Sequence, residues 1–443
     1  MDTFVINGGR RLAGRTRVNG SKNAALPLMA AALLTDEPVV LRDVPDLADI
    51  RNMQRLLGEL GCVRVNEGDD RKGVLALHAS DTSNSHARYD IVRTMRASIC
   101  VLGPLLAKRG SARVSMPGGC SIGDRPVDLH LRGLGALGAE ISMSAGDIIA
   151  QTPKGGLRGA TIFLGGPFGS TVLGTANVMS AACLAKGTTV IESAACEPEI
   201  VDLARMLESM GAKISGAGSP RITIEGVSQL GGTDHAVIPD RIEAGTFLMA
   251  AAITNGELTL ENCPIDALLA VIDRLNAIGI DVTPIGSSRD PLRATVRVTC
   301  GRVLRPVEVT TQPHPGFPTD LQAQLMALLT LADGNSVITE RIFPERFLHV
   351  AELSRMGARL FRQGPTVIIS GVRSLIGAPV MASDLRASAG LVLAGMAAEG
   401  TTLVNRVYHL DRGYEKLEER LCSLGASIER VDEKTLSPTE VVG

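Results

Sequence analysis

The chain has 443 residues, of which 45% are hydrophobic and 21% charged, and its formal charge is −2. That composition belongs to a globular protein too long for a single core, and its charge balance excludes a global attraction for nucleic acid or membrane surfaces. Aromatic residues are only 2% and Trp is absent, so the cores are predicted to be filled by Ala, Leu, Val, Ile and Met.

The start, MDTFVINGG, lacks a basic region followed by an apolar stretch. The longest apolar runs, such as Leu26 to Leu34, are too short to span a bilayer, so a cytoplasmic protein is expected.

From there one pattern recurs. An amphipathic helix closes on Leu, Ile or Met, then Gly, a small or apolar residue, a variable position and an aliphatic one: RLLGELGCVRV at Gly61, RGLGALGAEIS at Gly138, ARMLESMGAKIS at Gly211, DRLNAIGIDVT at Gly279, AELSRMGARL at Gly357 and EERLCSLGASIE at Gly425. The glycines recur every 68 to 78 residues. Gly there suits a left-handed helix cap, and the alternation behind it suits a strand leaving the cap.

Each copy is preceded by a second, Ala/Leu-rich helix, a polar turn and an aliphatic strand. These begin at Ala25, Ala97, Ala176, Ala244, Leu321 and Ala387. Helices apolar nearly all round belong inside a domain with sheets around them. Six equal units could form a solenoid, but two clusters of three suit this length better.

Eight cysteines with no CxxC pair make neither a zinc site nor a disulfide framework. Cys62, Cys100, Cys183, Cys196, Cys263, Cys300 and Cys422 sit among small aliphatic residues and read as core or near-core side chains. Cys120 lies in SMPGGCSIGDRPVDLH, a Gly/Pro-rich loop with Arg125 close by, where a thiol is a candidate for a lowered pKa as much as for an inert role. Gly133, Gly135 and Gly138 spell GxGxxG, but between a helix and a strand, the reverse of the dinucleotide-binding order.

Several segments together carry a resemblance: GSKNAALPLMAAALL, RTMRAS, PGGCSIGDRPVDLH, EPEIVDLARML, RIEAGTFLMAAAI, HPGFPTDLQAQ, ERFLHVAELSRMGA, SDLRASAGLVLAG and YHLDRGYEKLEERLCSLGA. Over nearly its whole length the chain resembles the UDP-N-acetylglucosamine enolpyruvyl transferases (1-carboxyvinyltransferases), relatives of the EPSP synthases. The resemblance implies an α/β fold, a two-domain inside-out α/β barrel built from six repeated units. One domain would comprise residues 1–21 and 238–443, the other residues 22–237, with hinges near Ser21 and Ile238 and the active site in the cleft.

The implied chemistry moves the enolpyruvyl group of phosphoenolpyruvate to a sugar hydroxyl with loss of phosphate, as in the first committed step of peptidoglycan precursor synthesis. By the same resemblance Lys22, Arg125 and Arg412 surround the phosphate, and Arg346 and Arg386 face the carboxylate. Arginine forks suit both groups. Asp320 matches the general base, although an Asp before LQAQLMALL also reads as a helix N-cap. Cys120 matches the loop cysteine that fosfomycin alkylates, a proton donor in this chemistry. Lys22, Arg412, Asp320 and Cys120 form the implied catalytic set.

Asn23, Arg96, Arg125, Pro126, Val127, Asp128, Leu129, Thr171, Val172, Asp320 and Ile342 match the nucleotide-sugar positions, with Asp384 and Glu243 in the polar shell. Neither metal nor cofactor is implied. The partners are small molecules, phosphoenolpyruvate and a uridine nucleotide sugar, with no nucleic acid and no membrane, and no pattern speaks to oligomeric state.

Two positions depart from the family. Leu173 stands where SVGAT has Gly, at the diphosphate, and Asp124 replaces a small residue beside Arg125. Both face the acceptor, so two alternatives stay open: a specialised transferase for another uridine nucleotide, such as the ribose hydroxyl of UMP, and a paralogue that binds these ligands without turnover.

Overall fold

The computed structural model describes residues 2–65, 72–117, 127–286, 290–301 and 303–435. The chain folds into two compact units, one from the described residues of Met1–Asn19 and Pro239–Gly443, the other from those of Gly20–Cys120 and Asp124–Ile238.

Six four-stranded sheets share one topology, three to a unit: a first strand parallel to the second, the second antiparallel to the fourth, and the fourth antiparallel to the third. In the unit of residues 239–435 the sheet Glu308–Thr310, Asn335–Thr339, Thr366–Ser370, Arg359–Gln363 is typical. An apolar helix joins the first strand to the second, and an amphipathic helix joins the second to the third. Two sheets borrow their first strand from across the sequence. Ala13–Arg17 pairs with Glu257–Cys263, and Thr233–Ala236 pairs with Val39–Arg42.

All six cap glycines, Gly61, Gly138, Gly211, Gly279, Gly357 and Gly425, have positive φ, between 75° and 105°. Each ends an amphipathic helix and opens a strand, as the spacing predicts.

The apolar helices are enclosed. Every residue of Arg241–Ile253 and of Gln322–Leu329 is buried, as are nine residues of Lys22–Ala31, nine of Val172–Ala182 and eleven of Leu385–Ala397. The sixth differs in starting with a 3₁₀ stretch, Arg96–Val101, before Leu102–Arg109. Among the described residues no helix is long and apolar enough to cross a membrane.

A second glycine pair recurs that the sequence pattern did not single out. After the last strand of three sheets, Gly8, Gly226 and Gly371 donate their N–H to Gly400, Gly187 and Gly334, the turn glycines behind the buried helices. A Cβ on Gly371 would overlap the carbonyl oxygen of Ala332, and one on Gly226 that of Ala185.

Gly371→Ala is therefore expected to lose about 2–4 kcal/mol of stability, because the backbone must shift. Gly357→Ala has open space but φ of 88°, and should lose only about 1–2 kcal/mol. Urea unfolding followed by circular dichroism separates the two; equal losses would show that backbone conformation, not the close approach, governs both sites.

Candidate active site

In the unit of residues 239–435 the polar residues collect at the starts of the buried helices. Asp384 caps Leu385–Ala397, its Oδ1 accepting from the N–H groups of Arg386 at 2.9 Å and Ala387 at 3.2 Å. That fixes Arg386 in the first turn. Arg386 Nη2 donates to Asp320 Oδ2 at 3.0 Å, and Arg346 Nη1 donates to Asp320 Oδ1 at 2.8 Å. Asp320 is thus held by two buried arginines, one on each oxygen, and Asp384 Oδ1 lies 4.0 Å from Arg346 Nη2.

The capping alternative for Asp320 is overturned. The 3₁₀ turn Thr319–Leu321 precedes helix Gln322–Leu329, whose N-cap is Leu321, and no side chain closes either N-terminus. The carboxylate points instead to Arg346 and Arg386, which attract it more strongly than a helix N–H would.

A buried polar cluster that sequence reasoning missed, Tyr414, Thr246 and Gln324, meets Arg386 through Tyr414. Its guanidinium lies 5.6 Å from the centroid of the Tyr414 ring. The Tyr414 hydroxyl meets Thr246 Oγ1 at 2.9 Å and accepts from Gln324 Nε2 at 3.2 Å. Burial works against the Arg386 charge, but Asp320, Tyr414 and Asp240 outweigh it and hold the guanidinium pKa above its ordinary value. Nη1 of Arg386 is buried and has no hydrogen-bond partner among the described residues. A buried charged donor with unused hydrogen-bonding capacity is suited to an anionic group.

Glu243 lies buried in the first turn of Arg241–Ile253. It accepts from the Asn19 N–H at 2.8 Å and pairs with Arg420 at 2.8 Å, while burial raises its pKa. It ties chain segments together. Arg412 ends the 3₁₀ turn Val407–Arg412; the preceding Asp411 is gripped by Arg430 at 2.6 and 3.1 Å. Burial, then the Arg412 charge, lowers the pKa of His409. Ile342 is half-buried, its N–H bound to Glu340 Oε1 at 2.8 Å.

In the unit of residues 20–238, Ser21 caps helix Lys22–Ala31, and Lys22 and Asn23 open it. Lys22 Nζ pairs with Asp49 Oδ2 at 3.0 Å, with both residues buried. Asp49 was not foreseen, since an acid in the first turn of Ala48–Glu59 reads locally as a partner of the helix dipole. Pro27 cannot donate to the Asn23 carbonyl, so that oxygen lacks its usual i+4 partner.

Thr171 caps Val172–Ala182, its hydroxyl accepting from the Gly174 N–H at 3.2 Å. The N–H groups of Val172 and Leu173 then have no acceptor within the helix. Val127 is the N-cap of Asp128–Ala136, with Asp128 and Leu129 in its first turn. Arg96 lies close enough to His130 to act on its charge. Asn177 Nδ2 donates to His130 Nδ1 at 2.8 Å, and burial, then Arg96, pushes the imidazole pKa down from 6.5 to about 4. Cys120, Asp124, Arg125 and Pro126 lie outside the described residues. Burial pushes the thiols of Cys62, Cys100, Cys183 and Cys263 up to about 12, while Cys196, Cys300 and Cys422 are only half-buried.

Six copies of one sheet, three to a unit around enclosed helices, define the inside-out α/β barrel, and the family match places it with the carboxyvinyl-transferring enzymes. The profile of the family described as EPSP synthase (3-phosphoshikimate 1-carboxyvinyltransferase) matches residues 6–421. The UDP-N-acetylglucosamine 1-carboxyvinyltransferase of Anaeromyxobacter sp. (strain Fw109-5) is 53% identical, covering 97% of this chain and 99% of the relative. The enolpyruvyl transferase NikO from Streptomyces tendae superposes with a TM-score of 0.86 at 26% identity, covering 97% of this chain and 99% of NikO. The EPSP synthase of Acinetobacter baumannii shares the fold, with a TM-score of 0.77 at 19% identity, covering 98% of this chain and all of that one. The chain belongs to the EPSP synthase family, in the branch of the UDP-N-acetylglucosamine 1-carboxyvinyltransferases.

His130 makes the stability of the fold depend on pH. Its folded pKa lies below the unfolded value, so its contribution is complete above about pH 6.5 and is lost as pH falls towards 4. The loss should reach roughly 3 kcal/mol. His130→Gln keeps an acceptor for Asn177 without titrating, and the urea midpoint of this variant should fall less between pH 6.5 and 4 than that of the native protein. Parallel curves would remove His130 from the account.

Proposed function

We propose that the chain transfers the enolpyruvyl group of phosphoenolpyruvate to a sugar hydroxyl of UDP-N-acetylglucosamine, releasing phosphate, in the cytoplasm and as the entry to peptidoglycan precursor synthesis. Asp320 accepts the hydroxyl proton as the sugar oxygen adds to the central carbon of phosphoenolpyruvate and the methylene carbon gains a proton. The tetrahedral adduct then expels phosphate, and loss of a methyl proton restores the double bond. Arg346 and Arg386 hold the carboxylate, Lys22, Arg125 and Arg412 hold the phosphate, and Cys120 delivers the proton to the methylene carbon.

The observation that carries the reaction class is Asp320 between Arg346 and Arg386, with a buried Nη1 on Arg386 that has no hydrogen-bond partner among the described residues. Such an arrangement pairs a proton acceptor with preorganised charge for a carboxylate. For the acceptor, full-length 53% identity to a UDP-N-acetylglucosamine 1-carboxyvinyltransferase favours the UDP-sugar over a smaller uridine nucleotide. Leu173 is compatible with a diphosphate, because a leucine in the first turn of Val172–Ala182 keeps its main-chain N–H as a donor. Asn23, Arg96, Arg125, Pro126, Val127, Asp128, Leu129, Thr171, Val172, Asp320 and Ile342 are assigned to the nucleotide sugar.

Phosphate release should be seen with phosphoenolpyruvate and UDP-N-acetylglucosamine, and much less with UMP, UDP or shikimate 3-phosphate offered separately. A preference for UMP in kcat/KM would replace the acceptor, and no release with any of the four would remove the activity. Asp320→Asn should lower kcat by about two to four orders of magnitude while the protein stays folded; native turnover in that variant sinks the base assignment.

Fosfomycin should alkylate Cys120 and leave Cys62, Cys100, Cys183 and Cys263 untouched, since burial keeps those four as thiols. Peptide mapping after treatment decides it, and label on the buried four with Cys120 clean would refute the assignment.

A further inference from the structure

Glu340 has no part in the reaction as assigned, yet its side chain is wholly shielded from solvent. It follows the strand Asn335–Thr339, and its carboxylate accepts four hydrogen bonds. Oε1 takes them from Thr311 Oγ1 at 2.7 Å, the Ile342 N–H at 2.8 Å and the Phe343 N–H at 3.0 Å; Oε2 takes one from Thr319 Oγ1 at 2.9 Å. A buried charge is tolerated only with such compensation.

The direction of the last bond matters. A hydroxyl has one proton, and Thr319 gives it to Glu340, so towards Arg346 the same oxygen can only accept. It does so from Arg346 Nη1 at 3.0 Å, the nitrogen that also donates to Asp320 Oδ1 at 2.8 Å. On its other side the Arg346 guanidinium lies 5.8 Å from the centroid of the Phe343 ring, and the Phe343 N–H is itself bound to Glu340. One carboxylate thus fixes Thr319 and Phe343, both in contact with Arg346, and the main chain of Ile342.

We propose that Glu340 and Thr319 are positioning residues for the transfer: Glu340 orients the Thr319 hydroxyl as an acceptor, which holds Arg346 on Asp320 and sets the base relative to Ile342. This rests on the reading of Asp320 as the base and of Ile342 as an acceptor-sugar contact. An acceptor-only group is required at position 340. An amide there can present N–H to Thr319, so the hydroxyl accepts from both sides and its own proton is left without the acceptor that fixes its orientation.

Thr319→Val keeps the shape and removes the hydroxyl, and Thr319→Ser restores it. Thr319→Val should lower kcat about 10- to 100-fold, the scale of a misplaced catalytic group, with little change in KM for the nucleotide sugar; its unfolding midpoint should fall, because Glu340 loses a hydrogen bond, while the protein stays folded under assay conditions. Thr319→Ser should recover most of the rate, and Glu340→Gln should resemble Thr319→Val wherever it folds. Native kcat in Thr319→Val, or an equal loss in Thr319→Ser, overturns the proposal. Crystal structures of the native chain and Thr319→Val decide the same point without turnover. Arg346 displaced from Asp320 in the variant supports it, and Arg346 unmoved overturns it. An inert native protein therefore counts against the assigned reaction and leaves the positioning to be settled by geometry.

Discussion

A helix with no polar face cannot lie on a surface, and this constraint organises the whole protein. Arg241–Ile253 buries every residue, so packing must close round it on all sides, and the repeated four-stranded sheets provide that closure. Burial of each Leu, Ile or Met in these helices contributes about 1.5–3 kcal/mol. The same enclosure leaves few places for a charge, and the helix N-termini are among them, because their main-chain N–H groups need acceptors. Ser21, Thr171, Asp240 and Asp384 meet that need as N-caps. Lys22, Val172, Arg241 and Arg386 follow them directly or within one residue. The chemistry is attached where an apolar helix permits polarity.

Charges gathered in such places must compensate one another. Arg386 and Arg346 are tolerated because Asp320 and Asp384 stand against them, and Lys22 because Asp49 does. Each pair therefore has two functions, keeping the fold compatible with a buried cation and keeping that cation in one place. In the proposed reaction a ligand carboxylate arriving at Arg386 would join an arrangement already made, with little reorganisation on binding.

What could be read from the sequence was whatever is local. The cap glycines announced six helix-to-strand turns because a left-handed residue leaves a mark within a few positions, and the Ala/Leu-rich helices announced their burial by lacking a polar stripe. Asp320 shows the limit. An Asp ahead of an apolar helix carries the same local signal whether it caps or not, and the residue that decides the matter, Arg386, lies 66 positions away. Asp49, Tyr414 and Glu340 were hidden for the same reason: their partners Lys22, Thr246 and Thr319 are assembled by the fold. The Gly371–Gly334 contact was hidden too, since each glycine alone reads as an ordinary turn residue.

The pairing of Asp2–Asn7 has a consequence for synthesis. This strand runs between Thr401–Asn405 and Ser427–Asp432, and the Thr3 side chain bonds to Asn405, 402 residues on. At about 5–20 residues per second, a ribosome takes roughly 20–80 s to deliver those partners. The unit of residues 20–238 has all its strands by Ala236 and can fold long before. During the wait Phe4 and Ile6, fully buried in the finished protein, belong to an apolar strand without its partners. A strand made about 400 residues before its partners is thus among the last to find its place.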